Sequence, residues 1–96
     1  MSGPSDGRVR PVPTVVWTEV DGVVFVANSA APEPFVVRAL EGTAATIWRL
    51  LQDEPTEETL ASRIADEYGI DITEIAPELH RFIVDLRAGS LVADEG

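Results

Sequence analysis

The stretch Leu40-Glu41-Gly42-Thr43-Ala44-Ala45-Thr46-Ile47-Trp48-Arg49-Leu50-Leu51 decides how this chain folds. Ala44, Ile47, Trp48 and Leu51 fall at i, i+3, i+4 and i+7, the spacing of one apolar helix face. The pattern predicts a helix over Thr43–Gln52, with Gly42 or Thr43 at its cap. Upstream of Leu40 the apolar residues come in short β-type runs. Downstream, two more segments keep the helical period. The order predicts an α+β fold, winged helix-turn-helix-like: a three-stranded antiparallel β-meander followed by three α-helices.

Downstream, Thr56 is a good N-cap, and Glu57 and Glu58 complement the helix dipole behind it. Leu60, Ala61, Ile64 and Tyr68 form the predicted buried stripe of the second helix, and Gly69 ends it. The third helix is expected over Thr73–Ala88, with Ile75, Leu79, Phe82 and Leu86 as its core stripe. Pro77 is awkward inside a helix, so regular helix is expected to begin only near Ala76. Gly89 ends that helix, and Leu91 and Val92 fold back onto the core.

Upstream, Thr14–Val20 is β-branched and aromatic and reads as a strand. Asp21-Gly22 is a two-residue hairpin signal, because such a turn needs positive φ. Val23–Ala27 is the returning strand, and its continuous apolar run places it centrally. Asn28–Pro34 reads as a loop, and Phe35–Leu40 as the third strand, left at one edge of a 1-2-3 meander. Phe35, Val37 and Ala39 share one face of that strand, and Val36, Arg38 and Leu40 the other. Leu40 is expected under the first helix, which turns its set inward and leaves Arg38 at the rim, within reach of Glu78 or of a partner's carboxylate. Residues 1–13 are rich in Gly, Pro, Ser and Arg without periodicity and are expected to form a disordered tail. Residues 14–92 make the domain and 93–96 a C-terminal tail.

The 96 residues carry a formal net charge of −10, all seven bases are arginine, and there is no cysteine. From Glu41 onward thirteen acids face four arginines. A DNA-binding helix needs cations for phosphates and side chains for base edges. Here the third helix offers only Arg81 and Arg87 against Glu74, Glu78 and Asp85, so nucleic acid is not the expected partner. Disulfide and thiolate chemistry are excluded. His80 is the one histidine, on the polar side of the third helix, and its neighbours Glu74 and Glu78 read as a solvated face rather than an ion site. No serine sits in a nucleophile elbow and no glycine-rich phosphate loop is present. The chain is therefore expected to be non-catalytic, without metal or cofactor. No apolar run suits a membrane span or a signal peptide, so the expected location is the cytoplasm.

Three segments resemble one known family. Leu40–Leu51 is similar to the Leu-Asn-x-Thr-Ala/Gly-x-x-Ile-Trp-x-Leu-Leu signature that opens the first helix of PqqD-like proteins. Thr56 to Gly69 resembles their second helix. Glu78-Leu79-x-x-Phe82-Ile83-x-x-Leu86-x-x-x-Ser90-Leu91-Val92 resembles their Asp-Val-x-x-Phe-Leu-x-x-Leu-x-x-x-Gly-Leu-Val ending. The resemblance covers roughly residues 14–92. Glu41-Gly42 stands where Asn-Pro is common, and Ser90 where Gly is common. The resemblance implies a RiPP recognition element, which binds the leader segment of a ribosomally made precursor peptide and presents its core to a maturation enzyme such as a protease or cyclase. In lasso-peptide pathways such an element can be a free protein of this size.

What the resemblance implies about docking agrees with the residues. The leader lies extended against the third strand, in a groove beside the last helix. An edge strand offers unpaired backbone groups for strand addition. The candidate binding residues are Phe35, Val36, Val37, Arg38 and Ala39 on the strand, and Glu78, Leu79, Phe82, Ile83 and Leu86 on the helix. Leu79, Phe82 and Leu86 also fit a purely core role. Ile83 and Ala76 are expected to widen the apolar arc toward the groove, so that a charge at Ile83 weakens binding but spares the fold. Glu78 is expected to meet a basic leader side chain. The competing functions are a winged-helix DNA-binding regulator and a generic interaction domain, monomeric or weakly dimeric through its open edge.

Overall fold

The structure, a computed structural model, describes residues 7–30 and 36–94. Its elements run β1 (Val9–Pro11), β2 (Val15–Val20), β3 (Val23–Asn28), β4 (Arg38–Leu40), α1 (Thr43–Leu51), α2 (Glu57–Tyr68), α3 (Ile72–Ala88) and β5 (Val92–Asp94). β2, β3 and β4 form the antiparallel meander in that order, and three helices follow. The hairpin at Asp21-Gly22 takes φ of 52° and 81°, the doubly positive turn whose twist matches the strands. Trp17 stands opposite Val26 and Glu19 opposite Val24, while Arg38 and Leu40 of β4 stand opposite Val26 and Val24. These side chains share the inner face of the sheet, because directly opposed residues point the same way.

The helices pack on that face. Ile47, Trp48 and Leu51 of α1, Leu60 and Ile64 of α2, and Ile75, Leu79, Ile83 and Leu86 of α3 are buried together with Val24, Val26 and Leu40. Thr56 caps α2, its hydroxyl accepting from the Thr59 N–H, and Gly69 closes the helix in the left-handed conformation. Asp71 caps α3. The Thr73 N–H and hydroxyl both donate to its carboxylate, which holds the Asp71 carboxyl below its ordinary value.

Four expectations need correction. Residues 9–13 are not a loose tail. Val9–Pro11 pairs with Val92–Asp94, so Ala93 and Asp94 belong to a strand as well. Val9 is buried, and its N–H donates to the Pro55 carbonyl at 2.8 Å, which ties this strand to the α1–α2 connection. Residues 1–6, 95 and 96 lie outside the described residues. Second, the third meander strand is shorter than Phe35–Leu40. β4 begins at Arg38, and beyond Val26 β3 pairs only with β2 among the described residues. There Asn28 turns its amide to Ser90, donating to its carbonyl, and accepts from the Thr14 hydroxyl, so the end of β3 is engaged with the rest of the fold. Third, Tyr68 is exposed, its hydroxyl 3.0 Å from that of Thr46, and Ala65 takes its place in the α2 stripe. Fourth, α3 starts at Ile72, before Ala76, because Asp71 caps it there. Pro77 falls in its second turn, where it removes the donor for the Thr73 carbonyl without ending the helix.

Candidate functional site

β4 is an edge of the meander, and among the described residues no strand pairs its far side. The segment that would be at its start behaves differently. Phe35 lies outside the described residues, and Val36 and Val37 stand 62% and 56% exposed just before β4. Ala39 is exposed on the outer face, and Arg38 is half-buried on the inner one. Of the strand candidates within the described residues, Arg38 and Ala39 are in the ladder and Val36 and Val37 precede it.

The neighbouring wall is α3, and its periodicity tells which face meets β4. At about 100° per residue, Glu78, Phe82 and Asp85 lie within about 60° of one another. Ile75, Leu79, Leu86 and Ile83 occupy the adjoining arc and are all buried. Ala76 and His80 lie beyond them. His80 Nδ1 sits 2.9 Å from Glu57 Oε2, which fixes that side against α2. On the opposite side Arg38 Nη2 donates to Asp85 Oδ2 at 2.6 Å, which fixes the stripe of Glu78, Phe82 and Asp85 toward β4. The side of α3 turned toward β4 therefore carries an acid, an aromatic ring and a second acid.

This changes the roles of the helix candidates. Glu78 is exposed on the side of α3 turned toward β4, and Phe82 is half-buried there. Leu79, Ile83 and Leu86 belong to the core of the free chain. Ile83 in particular is 0% exposed, so it does not widen an apolar margin at the groove, and a charge placed there strikes the fold itself. Ala76 instead lines a recess of about 400 Å³ between α2 and α3, with Glu57 and Glu58 at its rim. Asp85, absent from the expected set, takes the partner role assigned to Glu78 with respect to Arg38. The two acids are seven residues apart, two turns on one face. The face was therefore readable from spacing, but the level along the helix was not.

The remaining surface offers no metal centre: among the described residues no group of three or more His, Asp or Glu side chains is placed to hold an ion. No helix among them is long and apolar enough to cross a membrane. The outer face of the meander carries exposed Val16, Val20 and Phe25.

The family model described as coenzyme PQQ synthesis protein D (PqqD) matches residues 32–92. No curated protein is similar enough to count as a match. Among solved structures, that of TbiB1 in complex with the TbiA(beta) leader peptide superposes with a TM-score of 0.79 at 21% sequence identity, covering 91% of this chain and 98% of that one. The shared architecture is the three-stranded meander followed by three helices.

Proposed function

The chain belongs to the PqqD family, and from that premise we propose that it binds the leader segment of a ribosomally synthesised precursor peptide as an added strand on β4, beside α3. The observation that carries this reading is the edge of β4, unpaired among the described residues, whose Arg38 reaches the Glu78–Phe82–Asp85 stripe of α3. An extended peptide gains main-chain hydrogen bonds from such an edge, and its alternate side chains reach the wall opposite. TbiB1, which has this fold, is in complex with a leader peptide. The chain does no chemistry in this role. It holds the leader so that the core peptide meets a maturation enzyme, a protease or cyclase in a pathway of the lasso type, at raised local concentration.

The test uses the leader of a precursor encoded beside this gene, synthesised with a fluorescent label. Saturable polarisation change on titration with the protein is expected. A second leader carries N-methyl groups at alternate residues in one of the two possible phases. One phase should abolish binding, because those N–H groups bond β4, while the other should bind nearly as well as the parent. No saturable binding overturns the function, and equal loss in both phases overturns strand addition.

A further inference from the structure

Resting on the reading of β4 and α3 as the leader slot, we propose that Arg38 reads charge in that slot, and that Asp85 holds in the free protein the place a leader carboxylate takes in the complex. The main chain of Arg38 is pinned by its ladder position opposite Val26. Its guanidinium reaches across to the last turns of α3, where Nη1 lies 3.7 Å from the point a Cβ on Gly89 would occupy. The group is thus already placed, and little side-chain freedom is lost on binding.

It also has donors to spare. Its hydrogen bond among the described residues is the contact of Nη2 with Asp85 Oδ2. A guanidinium presents five N–H groups in a fixed fork that suits both oxygens of a carboxylate. The side chain of Arg38 is 33% exposed and that of Asp85 is 60% exposed. Asp85 contributes nothing to the core and is the more exposed member of the pair, so water can take over its carboxylate more readily than the Arg38 guanidinium. The more exposed member of the pair is the acid, and an acid is what replaces it.

Strand geometry gives the same sign. A peptide residue directly opposite Arg38 on the free edge has its Cβ about 4.5–5.5 Å from that of Arg38, on the same face, where opposite charges attract and like charges repel. A cation there meets Arg38 before it can reach Asp85. The net charge of −10 does not reverse this, because charges farther than about 8–10 Å are largely screened at physiological salt.

The experiment measures binding of the same labelled leader to the wild type, Arg38→Gln and Asp85→Asn, with each leader acid changed in turn to its amide. Circular dichroism melts confirm that both variants fold. Asp85→Asn should tighten binding by about threefold or more, since it removes a competing carboxylate, and Arg38→Gln should weaken it by about tenfold or more. One leader amide change should weaken binding to the wild type by a similar factor, yet have no further effect on Arg38→Gln. The opposite signs of the two protein variants separate this role from a structural one. If both weaken binding, the pair merely braces the slot and the proposal is overturned. Coupling of a leader lysine or arginine to Asp85 overturns it too, as does binding indifferent to both residues. A wild type that binds no leader sinks the leader-slot reading and this inference with it.

Discussion

Trp17 of β2 meets Trp48 of α1 edge-on, with ring centroids 6.3 Å apart and planes at 79°. The contact joins the meander to the first helix. Trp48 is fully buried, and its indole N–H has no acceptor among the described residues. Trp48→Ala should cost about 3–5 kcal/mol, most of what a domain of this size has, so its thermal melt should show a chain largely unfolded at room temperature. Trp48→Phe should cost far less, because it keeps an edge contact and removes a buried donor without a partner. A melt in which phenylalanine is as damaging as alanine would disprove that account of the indole.

Ile83 and Phe82 should separate fold from binding. Ile83→Glu buries a charge where nothing compensates it and should abolish the urea unfolding transition. Phe82→Ala should lower stability by about 1–2 kcal/mol, less than a fully buried ring, and should weaken leader binding as well. Glu78→Gln, at an exposed position, should leave the unfolding midpoint within about 0.5 kcal/mol of the wild type. A well-folded Ile83→Glu protein would show that Ile83 does not face the core.

The first strand should matter to stability. Deleting residues 1–11 removes the buried Val9 side chain and the pairing with β5. A loss of about 2–4 kcal/mol is expected, from one valine and a few backbone hydrogen bonds. An unchanged denaturation midpoint would return this segment to the status of a loose tail.

Ser90 should be improvable. It holds φ of 60°, a region that strains residues with a Cβ. Its carbonyl, which accepts from the Asn28 amide, is independent of its side chain. Ser90→Gly should raise stability by about 0.5–1 kcal/mol after the added entropy of the unfolded glycine is set against the relieved strain. The melting temperature should rise by a few degrees.

Acid sensitivity should trace in part to Asp71. Its carboxyl is held below the ordinary value of 3.8 by the donors of Thr73. A folded value lower than the unfolded one means that the contribution is complete above the unfolded value and disappears as pH falls through the folded one. Melting temperature measured from pH 6 to pH 2 should therefore fall less steeply at the acid end for Asp71→Ala than for the wild type. Parallel curves would remove Asp71 from the acid transition.

The helices and the meander could be read from the sequence because their signals are local. The apolar spacing around Trp48, the cap at Thr56, the stop at Gly69 and the turn at Asp21-Gly22 each state their structure within a few residues. β1 was invisible for the opposite reason: Val9 lies among Arg and Pro residues, and its partner strand is more than eighty positions away. The choice between Phe82 and Ile83 turned on about 100° of helix rotation, which the packing of α2 settles and the period alone does not. Arg38 was expected to meet Glu78 or a partner's carboxylate, and its guanidinium instead meets Asp85, two turns farther along the same helix.

The ladder of Val9–Pro11 with Val92–Asp94 brings both ends of the described domain to one spot. A short linker should therefore suffice to close it into a ring or to splice it into a surface loop of an unrelated host. Fresh termini could then be opened at Asp21-Gly22, giving a circular permutant in which the entry and exit of the polypeptide sit at the hairpin.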